Sequence, residues 1–300
     1  MPPLEYGIPQ DKGATHLRFG ISKGFFRAEG IDLSLRVVFG GPEIAAMYSS
    51  GRLKIGEMGT PPASTALAGG AAFKIVASGV RRRALQYFVV APAIGNWRDL
   101  GGVSVAVLSK GSCSYWFARL VLQSHGIDPD KDLTIVGLGE RYPDIVELFQ
   151  QGELQAAVLS EPTLSIGEYK GAFRLLKALN EPEFCPTMQW SVTVANLDFI
   201  AAESELVSAV LRGCRNSYRY ALNNLDEFVR YGADYYGIDD ATMWRSVRRE
   251  AADLHADCEV DMAGLELAIS LQQRLGAFER RLSANEIVDL RYLPSVQAAH

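Results

Sequence analysis

Apolar and polar positions along the chain follow two spacings, one typical of strands and one typical of helices. The segment "IDLSLRVVF" (31–39) alternates apolar and polar residues, as a half-buried strand does. The segment "PEIAAMYSSG" (42–51) places apolar residues three and four positions apart, which is typical of a short helix. Strands and helices alternate in this way through most of the chain before residue 203. This order predicts right-handed crossovers around a largely parallel sheet, and therefore an α/β fold.

The alternation of strands and helices occurs twice along the chain. It restarts with the strand "VSVAVL" (103–108) and the helix "SCSYWFARLVLQSHG" (112–126). Two apolar strands, "LQYFVVAP" (85–92) and "MQWSVTVANL" (188–197), stand on either side of this second unit. Strands that bracket one unit indicate two lobes, with the chain crossing between them at a two-strand hinge.

Both ends of the chain contain helical spacing. Near the start, "GATHLRFGISKGFFRAEG" (13–30) has helical spacing, with Gly30 as its stop. From about Glu203 onward the pattern is purely helical, and Asp239 or Asp240 can begin a helix there. We expect this helical tail to pack on the outside of the first lobe.

Composition narrows the class of partner. With 300 residues, 48% of them hydrophobic, the chain can bury the cores of two lobes. The net charge of −5 argues against a nucleic acid as the main binding partner. The sequence contains no apolar run long enough to cross a membrane, so no membrane insertion is expected. The N-terminus does not resemble a secretory signal, so we expect a periplasmic protein if a signal peptide was removed and a cytoplasmic one if Met1 is the native start.

Cysteine and histidine are dispersed. The four cysteines, Cys113, Cys185, Cys214 and Cys258, show no CxxC spacing, and the four histidines are equally scattered. We therefore expect reduced thiols, no metal site and no cofactor.

Two glycine–proline breaks, "GGP" (40–42) and "MGTPP" (58–62), are interpreted as strand-to-helix turns that line one cleft. In the second break, Gly59 has no side chain, so the backbone there can pass close to a neighbouring group. Thr60 can cap the helix, and Pro61 or its neighbour can occupy the first helical turn. We expect this turn to offer backbone N–H groups to a small ligand. The alternative is that it is simply a good helix start.

The strongest candidate site is "KGSCSYWF" (110–117). Small residues before an amphipathic helix leave amide groups unpaired at the positive end of the helix dipole. Ser112, Cys113 and Ser114 could hold a sulfonate, carboxylate or phosphate there. The alternative is a plain N-cap, for which serine is favoured in any helix.

Further candidates stand after predicted strands or beside these turns. Glu161 follows a strand and could accept a hydrogen bond from the ligand or cap the next helix. His16 is interpreted equally as a ligand contact or a structural hydrogen-bonding group. The remaining candidates are polar rim residues and aromatic walls: Gln10, Asp11, Tyr142 and Trp190.

Four motifs together resemble one known family: "KGFFRAEGIDL" (23–33), "GTPP" (59–62), "GSCSYWFARLVL" (111–122) and "LSEP" (159–162). This chain resembles the substrate-binding proteins of ABC importers for sulfonates, taurine, nitrate and thiamine pyrimidine precursors. The resemblance implies a type II periplasmic-binding-protein fold. Lobe one would then hold residues 1–90 and 193–300, lobe two residues 91–192, with hinge strands near 86–92 and 189–197.

The resemblance implies that the protein binds a small organic, anionic ligand between its lobes and delivers it to an ABC-transporter permease. It also implies that the "GTPP" turn touches the ligand. No cofactor follows from it, and binding is expected rather than catalysis.

The alternative is an enzyme in the same fold. It would be a cofactor-independent lyase of desulfinase or decarboxylase type, or an enzyme of the thiamine-pyrimidine pathway. Its catalytic residues would be Cys113, with a pKa lowered at the helix start, and His16 as proton carrier. Related desulfinases place their cysteine where this chain has Gln10 and Asp11, and the cysteine cluster of the pyrimidine synthases is absent around Cys185. A ligand-sensing regulatory module also stays open.

Overall fold

The chain forms two five-stranded β-sheets in a computed structural model that describes residues 3–10, 15–80, 83, 85–179 and 188–293. The first sheet has the order β2-β1-β3-β10-β4 and the second the order β7-β6-β8-β5-β9. The strands are β1 (Pro3–Ile8), β2 (Asp32–Val37), β3 (Ile55–Gly59), β4 (Phe73–Ser78), β5 (Tyr87–Val90), β6 (Ser104–Val107), β7 (Thr134–Gly137), β8 (Ala156–Leu159), β9 (Arg174–Ala178) and β10 (Ser191–Asn196).

Helices connect these strands and form the C-terminal part of the chain. They are α1 (Thr15–Ser22), α2 (Phe25–Ala28), α3 (Gly41–Ser49), α4 (Thr60–Ala68), α5 (Cys113–Ser124), α6 (Ile145–Gln150), α7 (Thr163–Tyr169), α8 (Leu197–Ala202), α9 (Ser204–Asn223), α10 (Leu225–Tyr236), α11 (Asp240–Glu250), α12 (Met262–Arg274) and α13 (Ala284–Ile287). Short 3-10 helices lie at Trp97–Leu100, Gly139–Asp144, Ala251–Asp253 and Leu290–Tyr292.

Each sheet combines parallel pairs with one strand that runs against its neighbours. Strand β1 is parallel to β2 and β3, and β6 is parallel to β7 and β8. Strand β10 is antiparallel to β3 and β4, and β5 is antiparallel to β8 and β9. These two antiparallel strands are the apolar segments that bracket the second unit in the sequence. The predicted two-lobe α/β fold is confirmed.

The chain passes from the first sheet to the second between Ser78 and Tyr87, and returns between Ala178 and Ser191. Strand β5 lies wholly in the second sheet, although the predicted first lobe extends to residue 90. The exact lobe bounds and the hinge remain predictions. Arg81 and Arg82 lie outside the described residues.

The centre of the first sheet is buried on both faces. Every residue of β3 and β10 is buried, since strands flank them and helices cover the sheet. This burial requires mostly apolar side chains along these strands, as in the "VTVA" of β10.

The predicted continuous helix over residues 13–30 is wrong in one respect. The structure divides it into α1 and α2 at Gly24, whose φ of 81° lies in the left-handed region that glycine adopts at little cost. Gly30, the predicted stop, also has a positive φ, 77°, and follows the second of these helices.

The helical tail contacts both halves of the molecule. Helix α9 packs on α1 and α2, and α12 packs on α4, as expected for a tail on the first lobe. Helix α11 instead packs against α7, which lies beside the second sheet. The tail thus has the expected contacts with elements of the first unit, and α11 adds a contact with the other unit that was not expected.

Candidate functional site

A cleft lies between the two sheets, at the carboxyl ends of their parallel strands. Pro9 and Gln10 follow β1, Leu108 follows β6, and Ser160 follows β8. In open α/β sheets this edge is where ligands bind. The walls of the cleft are Pro9, Gln10, Gly41, Glu57, Met58, Gly59, Pro62, Leu85, Gln86, Leu108, Ser112, Cys113, Ser114, Tyr142, Ser160, Trp190 and Ser191.

The structure brings many of the predicted site residues to this cleft, and both glycine–proline turns reach it. The predicted residues on its walls are Gln10, Gly59, Ser112, Cys113, Ser114, Tyr142 and Trp190. Four others, Thr60, Pro61, His16 and Glu161, are not among the described residues of the cleft wall. Asp11 lies outside the described residues.

The start of α5 has two unused amide donors. Ser112 is the N-cap, and its Oγ accepts from the Tyr115 amide at 3.4 Å and from the Ser109 amide at 3.3 Å. Ser114 Oγ accepts from the Leu108 amide at 2.9 Å. Both hydroxyls therefore hold the turn itself. The amides of Cys113 and Ser114 have no hydrogen-bond partner within the described chain, so these N–H groups are the ones that can bind an acceptor.

The start of α4 has no such donors. The amide and the Oγ1 of Thr60 both donate to the Trp190 carbonyl, at 2.7 and 3.0 Å, and Pro61 and Pro62 carry no N–H. The prediction that this turn supplies amide donors to a ligand is wrong. Thr60 instead fixes the backbone of Trp190, whose ring forms a wall of the cleft. The cap of α4 is Gly59, without a side-chain hydrogen bond.

Glycine is needed where the three helix starts meet. A Cβ on Gly59 would lie 2.0 Å from the Cys113 Sγ. A Cβ on Gly41 would lie 2.9 Å from Pro62 Cβ and 3.4 Å from Ser112 Cα. The separations from the Cys113 Sγ and from Pro62 are too short for a Cβ, so α4 meets α5, and α3 meets α4, this closely because Gly59 and Gly41 have no side chain.

The environment of Cys113 opposes ionisation. Burial raises the pKa of the Cys113 thiol to about 12, whereas the sequence predicted a lowered pKa at this helix start. The loss of solvation outweighs the helix dipole, because a thiolate loses its water shell in this wall. Cys113 is therefore a neutral thiol at pH 7.

His16 lies elsewhere. Its ring stacks on Phe228 with centroids 4.4 Å apart and lines a separate small cavity, together with Glu161 and Glu250. The structure does not bring His16 and Cys113 into one site. The pair on which the lyase alternative depended is absent from the described cleft.

Glu161 is held between α7 and α11. Its carboxylate accepts from the Ser165 amide and hydroxyl, both at 3.0 Å, and from Arg249 at 2.9 Å. Its side chain is 1% exposed, and this burial raises the pKa of the carboxyl despite the opposing effect of Arg249. Both carboxylate oxygens are thus engaged within the protein.

Four polar residues on the cleft wall, Glu57, Gln86, Ser160 and Ser191, were not predicted from the sequence. Glu57 and Gln86 are each 5% exposed, and the Tyr218 hydroxyl donates to Glu57 Oε2 at 3.4 Å. A charged residue inside the apolar strand "IGEMG" was a usable signal for Glu57, since carboxylates are seldom buried without a role. Gln86 stands directly before a strand and gave no comparable signal.

A second, more apolar chamber adjoins the cleft and shares Gln10 and Tyr142 with it. Its other walls are Val37, Phe39, Pro143, Val146, Glu147, Pro162, Thr163, Ile166, Lys170 and Tyr236. The two chambers therefore meet at Gln10 and Tyr142.

Two features are absent from the described residues. No helix there has the length and apolar character to cross a bilayer. No group of three or more histidine, cysteine or acidic side chains in that part of the chain is placed to hold a metal ion.

Comparison with known sequences gives a family match. The family described as "NMT1/THI5 like" matches residues 14–228, which is more than half of the chain. A curated Bacillus subtilis (strain 168) protein, YtlA, named as a candidate binding protein, is 26% identical over 163 residues. That match covers 53% of this chain and 48% of the relative, so it spans about half the length of the curated protein.

Solved structures share the fold over nearly the whole chain. The alkanesulfonate-binding protein SsuA from Xanthomonas axonopodis pv. citri, bound to MOPS, is 18% identical, with a TM-score of 0.78 over 95% of this chain and 96% of that one. The periplasmic nitrate-binding protein NrtA from Synechocystis PCC 6803 is 13% identical, with a TM-score of 0.72 over 92% and 82%. At these identities the likeness concerns the fold.

Proposed function

This chain belongs to the NMT1/THI5-like family, and from that premise we propose that it binds a small organic ligand in the cleft, as the substrate-binding component of an ABC importer. The acceptor end of the ligand, a sulfonate or carboxylate, lies at the start of α5. The amides of Cys113 and Ser114 donate to it, and the Trp190 ring packs beside it.

One observation carries this proposal: two amides without partners in the described chain stand at the N-terminus of a 12-residue helix, on the wall of a cleft. Helix N-termini attract anions through these donors and the helix dipole. The names of SsuA and NrtA, an alkanesulfonate-binding and a nitrate-binding protein, support an anionic group. The two lobes would close over the ligand by hinge motion.

The ligand class can be tested by thermal shift against aliphatic sulfonates, aromatic carboxylates, nitrate and pyrimidines. Compounds that raise the melting temperature are then measured by isothermal titration calorimetry. Stabilisation by one of the anionic classes is the expected result. A protein that binds none of these compounds contradicts the proposal.

The role of the α5 amides can be isolated at Cys113, because it is the first helical residue. Proline is favoured there, so Cys113→Pro removes one N–H donor and keeps the helix. Cys113→Ala also removes the thiol but retains the amide, and is the matched control. We expect roughly tenfold or greater loss of affinity in Cys113→Pro relative to Cys113→Ala, since a hydrogen bond to a charged group contributes about 1.5–3 kcal/mol. Equal affinities in the two variants would show that the amide does not bind the ligand.

The proposed partner is an ABC-transporter permease, and the proposed location is the periplasm. In proteoliposomes that contain the cognate importer, the ligand-loaded protein is expected to stimulate ATP hydrolysis more than the ligand-free protein. Cell fractionation with an antibody to this chain tests its location. Recovery only with cytoplasmic markers would contradict the importer role.

A further inference from the structure

The two units meet through contacts of two kinds, of which the first is apolar. Trp190 directly precedes β10 of the first sheet, and its carbonyl accepts from Thr60 of α4. Its ring nevertheless packs into the core of the second sheet, with the centroid 4.9 Å from that of Phe117. Met188 and Ala268 belong to the same core. Parting this contact would expose apolar surface to water, so we expect it to persist when the lobes move.

The second contact is polar and joins α11 to α7. The Arg249 guanidinium donates to Glu161 at 2.9 Å, to Ser165 Oγ at 3.2 Å and to Glu168 at 2.6 Å. All three acceptors lie in α7 or in the turn before it. Helix α11 packs on α10, which packs in turn on α9 and α1 beside the first sheet. The Arg249 ion pairs therefore connect the first unit to the second.

This polar contact adjoins the cleft. Ser160 lies on the cleft wall directly before Glu161, and Pro162, directly after it, lines the second chamber. Opening of the cleft would carry the end of β8 away from the first unit and would part Glu161 from Arg249. Charged side chains are rehydrated when they separate, whereas parted apolar surfaces are not stabilised by water. The polar contact is therefore the one that can open and close reversibly.

Resting on the proposed function, we infer that Arg249, Glu161 and Glu168 form a clasp that holds the two lobes together across the cleft. The apolar contact around Trp190 is the side that stays fixed, and the clasp is the side that opens. A ligand enters and leaves the cleft while the ion pairs of the clasp are broken. A guanidinium shared by two carboxylates makes strong, directional hydrogen bonds, so the clasp keeps the open state infrequent.

The cysteines allow this opening to be observed without a ligand. The Cys113 thiol of α5 lies on the cleft wall against Gly59 of α4, where an added Cβ would come within 2.0 Å of the Sγ. Because the two helices belong to different units, opening uncovers this thiol. Cys214 and Cys258 are each 1% exposed in the core of the first unit, which opening leaves intact. Alkylation at Cys113 thus reports opening, and alkylation at the other two reports unfolding.

The experiment follows iodoacetamide alkylation at each of these three cysteines by mass spectrometry at pH 8, in the full chain with no compound added to the cleft. The variants compared with the wild type are Arg249→Met and Glu168→Gln. Arg212→Met is the matched control, because Arg212 donates to Glu29 at 2.7 Å and this partly exposed ion pair lies within the first unit.

We expect Arg249→Met to accelerate alkylation of Cys113 at least roughly fivefold, the lower end of the coupling usual between two states of a protein. The rates at Cys214 and Cys258 should stay unchanged. Glu168→Gln keeps the ion pair with Glu161, so it should accelerate Cys113 in the same direction but by less. Arg212→Met should leave the Cys113 rate as in the wild type.

Three results would overturn the clasp. They are an unchanged Cys113 rate in Arg249→Met, an equal acceleration at all three cysteines, and an acceleration of the same size in Arg212→Met. Because no ligand takes part, each of these results leaves the proposed binding function standing. Selective acceleration at Cys113, together with a thermal-shift screen that finds no ligand, would instead retain the clasp and overturn the binding function.

Discussion

The Arg249 guanidinium donates to the Glu161 carboxylate at 2.9 Å and to Glu168 at 2.6 Å, which ties α11 to α7. The Arg249 side chain is 27% exposed, while Glu161 is 1% exposed. This ion pair fastens the helical tail to the helix beside the second sheet. It is one of the contacts between the tail and the second unit; Ala268 of α12 also packs against the core of the second sheet.

Arg249→Met should lower the free energy of unfolding at pH 7 by about 2–4 kcal/mol, because it leaves a buried carboxylate without its cation. Arg248→Met is the matched control: Arg248 is exposed beside the Trp244 ring, and its loss should cost less than about 1 kcal/mol. Urea unfolding measures both. Equal losses would show that the ion pair contributes nothing specific.

The loss in the free energy of unfolding caused by Arg249→Met, called the deficit below, should also depend on pH. Burial raises the pKa of Glu161, so the folded chain holds this proton more tightly than the unfolded chain, whose pKa is near 4.5. The stability that Glu161 contributes is therefore present at low pH and is lost as pH rises through the folded pKa. Without Arg249 the carboxyl pKa rises further, so the deficit should be smaller at pH 4 than at pH 7. A deficit that is the same at both pH values would contradict this account.

The substitution Gly59→Ala tests the close contact between the starts of α4 and α5. The added Cβ would lie 2.0 Å from the Cys113 Sγ, and we expect a loss of about 1–3 kcal/mol in stability, the usual cost of overpacking. Cys113→Ala removes the sulfur, so Gly59→Ala should cost much less in that background. Gly101→Ala is the control, since a Cβ at Gly101 meets nothing within 4 Å. An undiminished loss in the double variant would place the strain elsewhere.

The rate at which the Cys113 thiol is alkylated tests whether its pKa is raised. Burial raises this pKa from the ordinary 9.0 to about 12, so at pH 8 the thiolate fraction is roughly a thousandfold below that of an ordinary cysteine. Alkylation by iodoacetamide, followed at this residue by mass spectrometry, should be correspondingly slow in the native protein. It should become fast in urea, where burial is lost. Rapid native alkylation at pH 8 would restore Cys113 as a candidate nucleophile.

Trp190 should report ligand binding. Its ring is 6% exposed, lines the cleft and contacts Phe117 with centroids 4.9 Å apart. A bound ligand changes the surroundings of the indole, so the emission of the wild type should shift on saturation. Trp190→Phe should lose this shift, and Trp244→Phe, which alters a tryptophan of α11 outside the cleft wall, should keep it. Loss of the shift in the Trp244 variant instead would indicate a ligand at another position.

The local elements could be predicted from the sequence because their causes lie within a few residues. The alternation of spacing identifies strands and helices, and Ser112 is an N-cap whose partners are three residues away on either side. The two glycine–proline turns were likewise readable, since strand, turn and helix start are contiguous. At Gly24 the helical spacing of the apolar residues competed with the tendency of glycine to leave the helix. The spacing alone did not show that the helix would break there.

Contacts between distant segments could not be predicted in the same way. Thr60 donates to the Trp190 carbonyl 130 residues away, and this bond removes the amide that the turn was expected to offer. Glu161 is engaged by Arg249, 88 residues further on, rather than turned to the cleft. No spacing in the chain encodes such pairs.

The sequence by itself determined the α/β fold, the two units and the helix starts that surround the cleft, because periodicity and capping act between near neighbours. Only the tertiary structure decided which polar groups remain open to a ligand and which are consumed within the protein. It also decided the protonation of Cys113, since the loss of water around the thiol outweighs the dipole of its own helix. Hydrogen-bond saturation and desolvation depend on every segment that packs around a group, and those segments come together only in the folded chain.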